Sequence, residues 1–491
     1  MASSRAVLLS IWLIAPIVFV FVHGQDNGGS IDVGSDLNQE NLVKQYSLFP
    51  YPERKKTDVF GKNSVDLPTV SYMCFEGRYS SVWRRPDLRI LDAGGGTGDS
   101  TLTLAKQLHD IGNLDARVVH LDLSPASQAI TRERAEYNGV GHMVEYALGS
   151  FLDEDLMSSL GTFDFIVSHG VLHHQADPGS GLRALKLALR PGGAISIMVY
   201  AELGRTGIYD VQQMMRLMSG SASSDEHKEV ESLRELLGAL PATSRVRRND
   251  AFWGAVEGEV STGAGAFDLF LHTQDRAYTV SELYDWVEGE AGLTIENFNE
   301  GGLYKPSLWI SSSASEDLLD RVDELDDREK MDMAELLHAA SQKHSFYARD
   351  GKKADRPWVA PDTIPCLPRR GQVNMNLDII EQHDDFTVDI SIDVSYASSV
   401  LPTPTMVEYK HVSALFQYPW IFGNCQKTFT DIWRDHALPA NPAVRLPVFL
   451  EAMSTIVDML SDWGYIAILS EPGELLPNVG SKRENQGYGE L

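Results

Sequence analysis

Apolar residues in the first two-thirds of this chain fall into short continuous runs separated by stretches of helical spacing. That is the pattern of doubly buried strands alternating with amphipathic helices. Leu88–Ala93, Val118–Asp122, Phe163–Ser168 and Ala194–Tyr200 read as the first, second, fourth and fifth strands, with a third ending near Gly149, and Leu182, Leu185, Ala188 and Leu189 recur at helical spacing between the fourth and fifth. Arg190-Pro191-Gly192-Gly193 stops that helix. Leu293–Phe298 and His344–Ala348 add a sixth and a seventh strand, and Ser313 with Glu316 caps an acidic helix running to about Ala340. Ahead of the first strand, Tyr72, Phe75, Tyr79 and Trp83 mark an aromatic helical segment. The alternation predicts an α/β fold with an open, mostly parallel sheet.

From about Asp355 the period changes. Phe386, Val388, Ile390, Ile392 and Val394 alternate with polar residues, as in a half-buried strand. A helix at Pro447–Leu460 and a strand at Tyr465–Leu469 follow. Residues 355–475 read as a C-terminal α+β module, winged-helix-like in its order of helices and short strands. The spacing of Asp389, Ser391 and Asp393 is explained by alternation, without a metal.

The chemistry concentrates at the carboxyl ends of the strands, where open α/β sheets bind ligands. Leu91-Asp92-Ala93-Gly94-Gly95-Gly96-Thr97-Gly98 carries a strand into an acidic residue and a glycine loop that opens a helix at Asp99. Gly94, Gly96 and Gly98 let the backbone approach a ligand closely, and the helix presents free N–H groups to it. A dinucleotide fingerprint would place a third glycine where Asp99 stands. Asp122 ends the second strand, placed to accept from two ribose hydroxyls.

With Asp92 before it, the loop resembles the first motif of class I S-adenosylmethionine-dependent methyltransferases. Gly170-Val171-Leu172-His173-His174, Asp177-Pro178 and Leu189–Gly193 are similar to that superfamily's later motifs, over roughly residues 70–310. Tyr200-Ala201-Glu202-Leu203-Gly204-Arg205 and Asp268–His272 are similar to segments of bacterial members. The resemblance implies a Rossmann-like, seven-stranded methyltransferase sheet over residues 66–350. It implies S-adenosylmethionine as cofactor, held by Asp92, Gly94, Gly96, Gly98, Asp122, Leu123, Ser150, Phe151 and Ser168. In one respect the chain departs from the pattern: Gly149-Ser150-Phe151 stands where many members carry an Asp for the adenine. The resemblance also suggests that the Tyr72–Trp83 segment caps the cofactor; packing explains its aromatics equally well.

Methyl transfer needs alignment more than acid–base help. If the acceptor must lose a proton, His173, Tyr200 and Glu202, near the ends of the fourth and fifth strands, are the candidate catalytic residues; His174 reads as a packing histidine. Residues 202–290 form a helical insertion over the sheet edge, a substrate lid with Phe252, Trp253, Phe267 and Phe270 as its apolar wall.

With 491 residues the chain has room for several domains, and a net charge of −27 argues against a nucleic-acid substrate. The expected acceptor is small or lipid-like. A protein methyltransferase, with the C-terminal module recruiting the target, and a cofactor-binding scaffold that has lost transfer are the alternatives. The C-terminal module is assigned to protein contact or homodimerisation. Cys74, Cys366 and Cys425 are too widely spaced to suggest a disulfide framework and read as incidental thiols.

Ala6–Val22 is an apolar run of 17 residues after Arg5, so residues 1–24 read as a signal peptide or signal anchor. This points to the secretory pathway, endomembranes or an organelle reached through them. The odd cysteine count and the lack of any Asn-x-Ser/Thr stand against lumenal residence. Residues 25–65, polar and without period, read as a linker.

Overall fold

The computed structural model describes residues 42–58, 65–175, 177–219, 225–248, 250–311, 313–355, 357–366, 377–383, 387–393, 406–413, 425–462 and 466–471. The signal or anchor expected at 1–24 lies outside these. Among the described residues no helix is long and apolar enough to cross a membrane.

A seven-stranded sheet of order β3-β2-β1-β4-β5-β7-β6 forms the centre of the molecule. Strands β1 (Arg89–Ala93), β2 (Arg117–Asp122), β3 (Val144–Leu148), β4 (Phe163–His169) and β5 (Leu189–Tyr200) are parallel, with Leu91 opposite Val119 on one side and Ile166 on the other. β7 (Lys343–Arg349) enters antiparallel between β5 and β6 (Thr294–Phe298). Central β1 and β4 are buried along almost their whole length, so they show no in–out alternation. Parallelism brings the carboxyl ends of β1 to β5 to one edge, and the change of direction between β1 and β4 opens a crevice there.

Three expectations are corrected, and one open alternative is decided. The acidic helix is two helices, Glu316–Asp323 capped by Ser315 and Asp327–His338 capped by Asp326, because Asp326 and Glu329 make their own capping box and restart the turn. The Tyr72–Trp83 segment is core: the helix Leu67–Cys74 packs on β6 and β7, and Trp83 meets Phe75 and Phe165 edge-on. Cys366 and Cys425 form a disulfide across 59 residues of sequence, which spacing alone does not reveal; Cys74 is buried and outside it. Of the supposed linker 25–65, residues 42–48 form a helix, and 42–58 lie across the carboxyl edge of the sheet as a strap.

The insertion holds the helices Ile208–Ser219, Glu226–Ala239, Asp250–Val260 and Gly263–Ala266, the last continuing as a π-helical turn Phe267–Leu271. Ile208, Val211, Leu233, Val256 and Phe270 give it a core of its own, shared with Phe49 of the strap. The C-terminal module is α+β. β9 (Leu377–Gln382), β10 (Thr387–Asp393) and β11 (Met406–Ser413) form one antiparallel sheet; β12 (Ala467–Leu469) pairs with β8 (Ile364–Cys366) and packs on Leu67–Cys74.

Candidate functional site

At the end of β1, Gly94, Gly96 and Gly98 have φ of +80°, +51° and +93°. All three also require the absence of a side chain, Gly98 because a Cβ there would stand 2.5 Å from Thr131. A Cβ on Gly94 would stand 2.4 Å from Val171, and one on Gly96 would stand 2.6 Å from the carbonyl oxygen of Tyr51. Asp122 ends β2 and accepts from the N–H groups of Gly96 at 2.7 Å and Ser124 at 2.8 Å. Burial nonetheless raises its pKa. Leu123 lies beside it, half-buried. Asp92 is buried beneath the loop and accepts from Thr101 Oγ1, whose hydroxyl also meets His120 Nδ1. Burial pushes this carboxyl up to about 7. Its role in the structure is to anchor the loop from below.

Asp99 replaces a glycine for a visible reason. It pairs with buried Arg134 at 2.7 Å and with Arg54 of the strap at 2.7 Å. The strap is held further by Thr97, whose Oγ1 donates to Pro52 O at 2.7 Å, and by Ser124, whose Oγ donates to Tyr46 O at 2.9 Å. The sequence signal for this was weak: 42–58 has no period, and only contact with the loop shows its purpose.

Ser150 Oγ accepts from Leu152 N–H, and Phe151 is buried against Gly181. Ser168, in β4, is wholly buried, and its hydroxyl has no hydrogen-bond partner. The turn after β4 joins two regions. Val171 packs at Gly94, while His173 and His174, in the next turn of chain, reach a polar cluster at the end of β5.

That cluster unites the Tyr200–Arg205 and Asp268–His272 segments. Tyr200 stacks on His173 with ring centroids 3.8 Å apart, and the Arg205 guanidinium lies 3.5 Å from the centre of the same ring. Tyr200 OH donates to Asp268 Oδ2 at 2.9 Å, and Tyr46 OH to Oδ1 at 3.4 Å. His272 Nδ1 accepts from Gln274 N–H, so its Nε2 carries the hydrogen that meets Tyr46 OH at 3.1 Å. Neither ring nitrogen of His173 has a hydrogen-bond partner, and burial holds the ring well below the usual imidazole pKa. Burial takes His174 down to about 4 and Asp268 up to about 6.

Glu202 does not join this group. Its side chain is exposed, because the chain turns outward after β5, and only its backbone is engaged, by Tyr278 O and Arg205 N–H. Asp268, His272, Tyr46 and the Arg205–Asp275 pair are the members that residue-by-residue reasoning passed over; the Asp268–His272 match was the available signal. Of the expected apolar wall, Phe267 stacks on Phe49 and Phe270 sits in the insertion core. Trp253 instead donates to Glu257 on its own helix, under Arg247; the Phe252 side chain lies outside the described residues.

His174, Asp268 and His272 each offer a ligand atom within 4.8 Å of the others. Imidazoles sharing an ion at about 2.0–2.1 Å splay away from it. These two rings are stacked with centroids 3.7 Å apart, and one His272 nitrogen is already engaged. The trio fits a packed polar cluster better than an ion.

A family profile described as a methyltransferase domain matches residues 90–193. An uncharacterized protein of a Synechococcus strain is 34% identical over 321 residues, covering 65% of this chain and 73% of that protein. The tRNA 5-carboxymethoxyuridine methyltransferase of Escherichia coli is 37% identical over 114 residues, 23% of this chain and 40% of the enzyme. That match leaves the acceptor open, so the exclusion of nucleic acid argued from charge has no support from it. PKMT2 of Rickettsia typhi, whose structure is in complex with AdoHcy, shares the fold at a TM-score of 0.55 and 16% identity, over 82% of this chain and 75% of that one. The orphaned Ser168 hydroxyl and the glycine cradle beside Asp122 fit a nucleoside cofactor. Strand order, loop and a relative matched over most of its length agree: this chain belongs to the class I S-adenosylmethionine-dependent methyltransferases, and S-adenosylmethionine is its cofactor.

Proposed function

We propose that the protein methylates a small or lipid-like acceptor that binds against the polar cluster between β4, β5 and the Phe267–Leu271 turn. The observation carrying this reading is His173, wholly buried, with both nitrogens unpartnered and its ring fixed under Tyr200. A buried polar group without a partner is costly, and a binding site is where such a group persists.

S-adenosylmethionine supplies an electrophilic methyl group on a sulfonium. Asp122 would hold the ribose hydroxyls with the lone pairs its two backbone donors leave free, and the loop N–H groups and the N-terminus of Asp99–Asp110 would receive the cofactor's carboxylate. Ser150, Phe151 and Leu123 line the adenine side. The strap excludes water from above, which strengthens every polar contact beneath it. Outside the strap, a groove of about 610 Å³ is lined by Leu48, Phe49, Val230 and Ala264, with Lys228 and Arg234 among its polar residues. Phe49 of its lining stacks on Phe267, the residue before Asp268, which sets this apolar surface beside the cluster.

The Cys366–Cys425 disulfide supports the secretory-route reading of residues 1–24, since such bonds persist in oxidising compartments. It also removes the objection from the odd cysteine count. The test of function is a screen of S-adenosylhomocysteine release with small-molecule, lipid, tRNA and protein fractions. Release driven by small molecules or lipids is expected; release driven only by tRNA or protein would sink the proposal.

A further inference from the structure

Among the buried acids of this site, Asp268 is the one held by tyrosine hydroxyls, those of Tyr200 and Tyr46. Asp122 accepts from two N–H groups, Asp92 from Thr101, and Asp275 pairs with Arg205 at 3.5 Å. Asp268 has no lysine or arginine within ion-pair distance among the described residues, and its two oxygens differ. Oδ2 is tied to Tyr200 at 2.9 Å. Oδ1 has Tyr46 OH at 3.4 Å, a long hydrogen bond, and His174 Nε2 at 4.0 Å. His174 donates from Nδ1 to Gln274 O, so its Nε2 presents a lone pair. Two acceptors therefore face each other across 4.0 Å in a dry interior, with no hydrogen between them. A donor from a ligand would satisfy both.

We infer that Asp268 takes the proton of the methyl acceptor, with Oδ1 facing the acceptor atom, so that the acceptor is a protic nucleophile, a hydroxyl or an amine. This rests on the methyl-transfer reading and gives its acceptor a chemical class. The acceptor's lone pair forms the bond to the methyl carbon, the carbon–sulfur bond breaks with its electrons left on sulfur, and the acceptor's proton passes to Oδ1. Tyr200 is a positioning residue: its hydroxyl fixes the carboxylate from the opposite oxygen.

The groups facing Asp268 come from every neighbouring element. They are Tyr200 and Arg205 at the end of β5, His174 after β4, His272 on its own segment, Tyr46 and Tyr51 on the strap, and Glu259 on the insertion. Burial outweighs the Tyr200 bond and the Arg205 charge and brings the carboxyl to about 6. At neutral pH it is ionised, yet basic enough to hold a proton in passing.

Sinefungin provides a test that needs no acceptor, because it carries an amine where the cofactor carries its methyl-bearing sulfur. The full chain should bind sinefungin more tightly than S-adenosylhomocysteine at neutral pH, by roughly tenfold for a buried charge-assisted bond. The preference should fade as pH falls through about 6, where the carboxylate protonates. Asp268→Asn should abolish the preference at every pH while keeping S-adenosylhomocysteine affinity within about threefold. Tyr200→Phe should retain it and move its loss to higher pH, since the missing hydroxyl no longer stabilises the anion. A preference that survives Asp268→Asn, or a wild-type chain with none, overturns the inference. Failure of S-adenosylhomocysteine to bind the wild-type chain would overturn the methyl-transfer reading instead.

Discussion

The two halves of the site are finished to different degrees. On the cofactor side the carboxylates are fixed, while the Ser168 hydroxyl stays open: Asp122 accepts two backbone bonds, Asp92 is held by Thr101, and Asp99 is clamped between Arg54 and Arg134. On the acceptor side, both His173 nitrogens are orphaned and Asp268 Oδ1 faces a second acceptor. A site that binds the same nucleoside on every turnover can be built in advance on one loop. A site that must also release a proton keeps unsatisfied groups, and the surrounding fold carries their cost.

The contrast can be broken most severely at Gly96. Gly96→Val adds a branched side chain at φ +51°, where even Cβ meets Tyr51 O at 2.6 Å. S-adenosylhomocysteine affinity by calorimetry should fall on the order of 100-fold or more, with the strap displaced. Asp122→Ala should cost about 2–3 kcal/mol of the same affinity, roughly 30- to 100-fold. If either variant folds and binds as the wild type does, the cofactor side has been misplaced. Arg54→Ala removes a half-buried pair between strap and loop, so dissociation of S-adenosylhomocysteine in stopped flow should quicken by about two- to fivefold. An unchanged rate would mean that the strap does not gate the site.

The smallest effect sharpens the comparison from the acceptor side. His173→Phe replaces an unsatisfied ring by an apolar one of similar shape, so the protein should gain up to about 1 kcal/mol in stability while cofactor affinity stays level. Acceptor turnover should drop. Loss of stability in a thermal melt would show that the His173 nitrogens are satisfied in solution, and the contrast between the two halves would narrow.

Neighbours in sequence carry the cofactor side. Asp92, Gly94, Gly96 and Gly98 lie in one loop, and Asp122 ends the next strand, so strand period and loop chemistry together place them at one edge. The mostly parallel character of the sheet and the α+β character of the C-terminal region followed from hydrophobic period as well, whereas the strand order came only with the structure. Two features had no local signal. Residues 42–58 carry no period, because their order comes from contact with Thr97, Asp99 and Ser124 rather than from their own pattern. Cys366 and Cys425 meet only because the segment after Cys425 docks on the one before Cys366, with Phe429 N–H donating to Thr363 O.

Asp268 illustrates the division most clearly. Its segment can be picked out in the sequence, but a carboxyl acquires a poised proton affinity only from what surrounds it. Here the surroundings come from the strap, the ends of β4 and β5 and a π-helical turn of the insertion. The sequence by itself determined the sheet, the glycine loop and the acidic ends of β1 and β2, since each depends on residues a few positions apart. The tertiary structure alone decided which side chains meet around Asp268, because desolvation and hydrogen bonding are properties of a neighbourhood assembled from distant parts of the chain.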